Sequence, residues 1–240
     1  MILGGEFVNR YIFDVDGTIT PSRGQIDSDF AVFFSDFCVN NSVYLVTGSD
    51  KEKTIEQIGE EIYSLAQRVY NCSGSDVWQG EKHIRTDDWH IGPITRAFLI
   101  RQLEESKFPL RTGLHIEERP GMVNFSVVGR NATMGERKLY VNHDNATKER
   151  DIIAKQFNNE FPELIARPGG ETGIDISPKG KDKSQIVIDF HPDDVLHFYG
   201  DRMDVMGNDY PLKKIIIDAD LGHAIEVTGW QDTWEKLKCI

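Results

Sequence analysis

Residues 11–18, Tyr11-Ile12-Phe13-Asp14-Val15-Asp16-Gly17-Thr18, decide how this chain is read. An apolar run delivers two carboxylates at the point where a buried strand should stop, and open parallel sheets place reactive groups outside the carboxyl ends of their strands. Two aspartates two residues apart repel each other unless a cation or a shared proton intervenes. The pair therefore points to a divalent metal with oxygen ligands, magnesium foremost. Gly17 permits a sharp turn, and Thr18 offers a hydroxyl and an amide to an anion. An acidic strand-end turn would have the same residues, so the stretches around it must decide.

Working outward, Ser28 can cap a helix with Phe30, Phe33, Phe34 and Phe37 on one face. Ser42 to Val46 is a second strand, ending in Thr47-Gly48-Ser49-Asp50 before a helix marked by Ile55, Ile58, Ile62 and Leu65. Thr47, Gly48 and Ser49 suit a phosphate oxygen at a helix start, although Ser49 or Asp50 would serve equally as an ordinary cap. A third strand, Arg68 to Asn71, runs into the turn Cys72-Ser73-Gly74-Ser75-Asp76. Residues 81–93 are polar and irregular, and from there the order changes. One helix (Phe98, Leu99, Leu103), two strands about Pro120-Gly121, a helix after Asn145 and a strand at Leu164 to Ala166 read as an inserted α+β layer. Lys183 opens a further helix, Val195 to Tyr199 is a strand ending in Gly200-Asp201, and Asn208-Asp209 follows. A last strand at Ile215 to Ile217 and a helix with Trp230, Trp234 and Leu237 complete the expected core. The fold class is α/β with a parallel sheet, residues 1–80 and 179–240 forming the core and 81–178 an inserted α+β cap.

The formal net charge of -12, from 39 acidic and 27 basic residues, excludes a nonspecific nucleic-acid surface and makes clustered arginines informative. The three cysteines, Cys38, Cys72 and Cys239, lack metal-site or disulfide-framework spacing and point to reduced thiols in the cytoplasm. No run is long enough for a membrane span, and Met1 to Glu6 lacks signal-peptide regions. His83, His90, His115 and His143 show no ligand spacing.

Four features coincide: Asp14 with Asp16, Thr47 to Ser49, Lys183, and Asp201 with Asn208 and Asp209. They supply a carboxylate nucleophile, a carboxylate for proton transfer, a hydroxyl and an ammonium for phosphate oxygens, and an acidic pair to complete a magnesium site. In order and spacing this resembles the haloacid dehalogenase superfamily of phosphotransferases, whose core is Rossmann-like. Within it, Ile116 to Ser126, Gly129-Arg130 and Arg137 resemble the cap of eukaryotic-type phosphomannomutases. The resemblance implies that Arg119, Arg130 and Arg137, with Arg23 of the core, bind a sugar phosphate, and that Asp175 holds sugar hydroxyls. It further implies that Asp14, Asp201 and the backbone carbonyl of Asp16 ligate magnesium, with Asn208 and Asp209 behind them, and it allows a homodimer. Two departures stand out. Gly173 replaces the serine of the family's G-G-x-x-S-x-D segment, and Asn71-Cys72-Ser73-Gly74 replaces a Glu-Asn-Gly turn. Because both weaken the sugar side, a magnesium-dependent phosphatase acting on a phosphorylated sugar or similar metabolite is the preferred expectation. A phosphomannomutase is the alternative, and a catalytically idle phosphosugar sensor a third reading.

Overall fold

The structure, a computed structural model, describes residues 8–22, 24–205 and 207–240; Arg23 lies outside them. The chain forms two compact units, one from the residues up to Thr86 together with Gly180–Ile240, the other Asp87–Lys179. In chain order the first unit contributes β1 (Val8–Phe13), α1 (Ser28–Asn40), β2 (Val43–Val46), α2 (Lys51–Leu65), β3 (Arg68–Asn71), β4 (Asp76–Gln79) and β5 (Lys82–Thr86). The second supplies α3 (Pro93–Glu105), β6 (Ile116–Arg119), β7 (Met122–Phe125), α4 (Met134–Thr147), α5 (Glu149–Glu160), β8 (Leu164–Gly169) and β9 (Gly173–Pro178). The chain then returns to the first unit through a 3-10 segment, Lys183–Asp189, and through β10 (Asp194–Gly200), α6 (Tyr210–Asp218), β11 (Gly222–Glu226) and α7 (Trp230–Leu237).

The first unit is a seven-stranded sheet in the order β11-β10-β1-β2-β3-β4-β5, parallel from β11 to β3 and antiparallel beyond. Both faces are buried, as parallel strands require. Phe13, Tyr11 and Leu45 pack on one side against Phe30, Phe34 and Phe37 of α1 and against Trp230 and Trp234 of α7. Ile12, Leu196 and Phe198 pack on the other against Ile186 and against Leu212 and Ile216 of α6. Since β10, β1 and β2 are neighbours, Asp201, Asp14 and Thr47 leave the sheet side by side.

The second unit is a four-stranded antiparallel sheet, β6-β7-β9-β8. Its alternation is two-sided. Val123, Phe125, Ile174 and Ile176 join Phe98, Tyr140 and Phe157 in a core, while the register sets Glu117, Asn124 and Asp175 in one row on the opposite face.

The architecture is the expected α/β core with an inserted α+β unit, and the differences are local. Ile215 to Ile217 lies in α6, not in a strand: Pro211 starts the helix, Leu212 and Ile216 are buried, and Ile215 and Ile217 are exposed, a helical rather than a strand period. The final strand is β11. Residues 82–86 lengthen the core sheet as β5, so the unit boundary falls after Thr86 and not at Gly80. The helix expected after Asn145 is two helices, the first beginning upstream at a Thr133–Glu136 capping box. Among the described residues no helix is long and apolar enough to cross a membrane, and the three cysteines are free thiols.

The turn after β3 holds two successive non-glycine residues in the left-handed region, Cys72 (φ 48°) and Ser73 (φ 58°). Their amides donate to Ser49 O and Thr47 O, fixing the loop after β2. Ser73→Gly should raise stability by about 1 kcal/mol through relief of that conformation. The shift in urea midpoint measures it, and an unchanged or lower midpoint would show that the conformation is unstrained.

Candidate functional site

Asp14 follows β1 directly; its amide donates to Tyr199 O, 2.9 Å away on β10, and its carboxylate is buried. The Thr18 hydroxyl donates to Asp14 Oδ2 at 3.3 Å, and Thr18 is held from behind by the Thr233 hydroxyl on its carbonyl. The wholly buried Lys183 ammonium donates to Asp14 Oδ1 and, at 2.7 Å, to Asp209 Oδ1. Asp209 is pinned in turn, its Oδ2 accepting the Arg202 amide at 3.0 Å.

Ligand oxygens of Asp14, Asp201 and Asp209 all lie within 4.8 Å of one another. Two glycines make that approach feasible. A Cβ at Gly200 would come 2.6 Å from Asp209 Oδ2, and one at Gly17 would come 2.8 Å from Asp201 Cγ. Gly17 also needs its φ of +77° for the turn, so it is fixed twice over.

Within the group, three carboxylates face one buried ammonium. Burial pushes the Asp14 carboxyl upward, opposed by Lys183 and reinforced by Asp209 and Asp201. Burial and then Asp209 push Asp201 up to about 6. Burial alone would lower Lys183, but Asp14 and Asp209 outweigh it and hold the ammonium charged. An all-oxygen donor set with surplus negative charge fits a hard divalent cation.

The residues named from sequence do not all converge. Asp14, Lys183, Asp201 and Asp209 are brought together, and Asp209 stands in the carboxylate group itself rather than behind it. Asp16 turns its carboxylate to Gln57, whose Nε2 donates to Asp16 Oδ1 at 2.8 Å. Asn208 is exposed, while Asp209 beside it is buried, so adjacent residues part company. The Asp50 side chain caps α2 by accepting the Lys53 amide, which spares Thr47 and Ser49 from that duty. The Thr47 hydroxyl accepts the Ser49 amide at 3.1 Å, and its own proton is left to donate. Gln57 was not legible as a site residue. The one signal was an amide on the buried face of α2, between Ile55, Ile58 and Ile62.

The second unit has a polar face of its own. Arg119 donates through Nη2 to Glu117 Oε2 at 2.6 Å, and Arg130 Nε lies 2.8 Å from the same oxygen. Asn124 Nδ2 donates to Asp175 Oδ1 at 2.6 Å. Burial raises the Asp175 carboxyl, opposed by Asn124, Arg119 and Arg130. Arg137, near the start of α4, is buried with Glu171 at 3.6 Å. Gly173 has a structural reason, because a Cβ there would lie 2.5 Å from Asn124 Nδ2.

Solved structures share this architecture. A haloacid dehalogenase-like hydrolase from Bacteroides thetaiotaomicron matches with a TM-score of 0.61 at 10% identity, over 98% of this chain and 99% of that one. The C-terminal domain of the C. albicans trehalose-6-phosphate phosphatase matches at 0.62 with 14% identity, over 93% and 81%. The likeness is one of fold: a parallel sheet with carboxylates at its strand ends, as in haloacid dehalogenase-like structures.

Residues 31–240 match the family model described as eukaryotic phosphomannomutase, and the chain belongs to that family. It is 29% identical over 226 residues to the phosphomannomutase of Saccharomyces cerevisiae, covering 90% of this chain and 88% of the relative. To the Drosophila melanogaster phosphomannomutase it is 32% identical over 214 residues, 84% of each. To human phosphomannomutase 1 it is 30% identical over 242 residues, 95% and 90%.

The raised carboxylates set a pH dependence. Asp201 binds its proton more tightly folded (about 6) than at its ordinary 3.8, so the folded state holds the extra proton between those values. Stability of the cation-free protein therefore falls as pH rises through about 4 to 6, and the Asp14 shift extends the loss upward. Melting in chelator should show this decline, and a divalent cation should reverse it above pH 6. A profile in which chelated protein gains stability over that range would contradict the assignment.

Proposed function

We propose that this protein is a phosphomannomutase, interconverting hexose 1-phosphate and hexose 6-phosphate, rather than the sugar phosphatase preferred from sequence. The observation that carries the proposal is the family match across residues 31–240, which takes in Lys183, Asp201 and Asp209 as well as the whole arginine-bearing unit. A separate polar face with Arg119, Arg130 and Asp175 supports it, since a mutase must grip its substrate by a phosphate that is not reacting. An idle sensor has no use for the buried Asp14–Lys183–Asp209 arrangement, whose unbalanced charge weakens the fold.

In the proposed reaction an Asp14 oxygen bonds to phosphorus as the bond from phosphorus to the sugar oxygen breaks, and Asp16 gives its proton to that oxygen. In the return step the phosphoryl group leaves Asp14 for the other sugar hydroxyl, whose proton passes to Asp16. Lys183 holds Asp14 in place and meets the nonbridging phosphate oxygens, which the Thr47 hydroxyl also binds, with Gly48 and Ser49 shaping that loop. Asp14, Asp201 and Asp209, with the Asp16 carbonyl, would hold magnesium, which when bound offsets the charge of the transferring group. Arg119, Arg130 and Arg137 bind the distal phosphate, and Asp175 takes sugar hydroxyls. A cytoplasmic location and a homodimer belong to the same reading.

The test supplies mannose 1-phosphate or glucose 1-phosphate with magnesium and catalytic hexose 1,6-bisphosphate. Appearance of the 6-phosphate without equivalent free phosphate is expected; stoichiometric free phosphate would return the protein to the phosphatases. Asp14→Asn should bind substrate yet lose at least about 1,000-fold in kcat, and activity within tenfold of the parent would remove Asp14 from its role. Arg130→Gln should raise KM for the sugar phosphate about tenfold and leave hydrolysis of an aryl phosphate unchanged. Equal effects on both substrates would count against the distal-phosphate assignment.

A further inference from the structure

Helix α2 is interrupted at Gly59, whose φ of 79° and ψ of 157° are not helical. The interruption releases carbonyls of the preceding turn from the i to i+4 ladder. They are taken up by the loop after β1: Ile26 N donates to Gln57 O at 2.8 Å, and Gln25 Nε2 to Glu56 O at 3.3 Å. The side chain of Gln57 points the same way. It is 2% exposed, and its Nε2 donates to Asp16 Oδ1 at 2.8 Å, with Thr20 Oγ1 and Gly24 O at 3.5 Å. Its Oε1 is buried without a hydrogen-bond partner among the described residues.

A buried amide that satisfies its donor and leaves its acceptor empty is kept for the donor. We infer that Gln57 is a positioning residue: through Nε2 it fixes the direction of the Asp16 carboxyl, so that the proton aimed at the leaving oxygen starts from one defined geometry. Two anchors hold Gln57 itself, the interrupted helix and the Ile26 amide on its own carbonyl, and neither involves the Asp14 group. The side chain is buried and is directed at Asp16, which separates its role from that of Asp16. Lysine would bring a charge into this space, and glutamate would keep the shape but lose the donor. The inference rests on the proposed role of Asp16 as proton donor.

Leaving-group dependence isolates the effect. A sugar alkoxide must be protonated as it departs, whereas 2,4-dinitrophenolate need not be. In the full chain with magnesium, kcat/KM is measured for hexose 1,6-bisphosphate and for 2,4-dinitrophenyl phosphate, in Gln57→Leu, Gln57→Glu and Asp16→Ala. Both Gln57 variants should lose roughly 10- to 100-fold on the bisphosphate and under about threefold on the dinitrophenyl ester, with Asp16→Ala showing the same pattern more strongly. If Asp16→Ala shows that selectivity and the Gln57 variants lose equally on both esters, the positioning role is overturned and the acid assignment stands. If Asp16→Ala itself shows no selectivity, the acid assignment fails and this inference with it. Gln57→Glu guards against a folding artefact: parental kinetics there would show that shape alone, and not the donated hydrogen bond, is required.

Discussion

The structure depends on an electrostatic imbalance held in place beside the carboxyl ends of two neighbouring strands, β1 and β10. Asp14, Asp201 and Asp209 converge on a site whose one buried ammonium is Lys183. Carboxylates at such distances are unfavourable in a low-dielectric interior, and a domain of ordinary stability tolerates them only where the surroundings leave them no alternative. The surroundings here do. Sheet order fixes where Asp14 and Asp201 emerge, Gly17 and Gly200 omit the Cβ atoms that would hold the side chains apart, and the Arg202 amide keeps Asp209 from turning away.

The remainder of the first unit serves that convergence. Aromatic packing of Phe13, Phe34 and Phe37 on one face and Phe198 on the other fills the core against both faces of the sheet. The left-handed Cys72–Ser73 turn ties the loop after β2 by two amide hydrogen bonds, and Gln185 Nε2 reaches Ser73 O at 2.8 Å. The loop after β2 and the segment carrying Lys183 thus share one turn as a strut. The position of the loop after β2 is set by backbone hydrogen bonds.

Much of this could be read from residues alone, for identifiable reasons. A strand ending in Asp14-Val15-Asp16-Gly17 is recognisable because burial on both faces writes a continuous apolar run, and the recurrence at Gly200-Asp201 follows the same logic. Ile215 to Ile217 misled because β-branched residues in short runs carry no period of their own; Pro211 and the pairing of Leu212 with Ile216 decide for a helix. Residues 82–86 are polar because β5 is an edge strand with little to bury, and composition hides such strands. The direction of the Asp16 side chain depends on Gln57, distant in sequence and on another element, and no local pattern announces it. Gly173 read as a loss on the sugar side, whereas in three dimensions its missing Cβ is the room occupied by Asn124, which holds Asp175. That reversal removes one reason for preferring a phosphatase.

The central claim is that Asp14 carries the phosphoryl group. Its most direct test is to quench the protein in acid after a brief exposure to hexose 1,6-bisphosphate and magnesium, reduce the acyl phosphate with borohydride, and map the product by mass spectrometry. The account predicts conversion of Asp14 alone to homoserine. Conversion at another carboxylate, or turnover with Asp14 unmodified at every quench time, would contradict it.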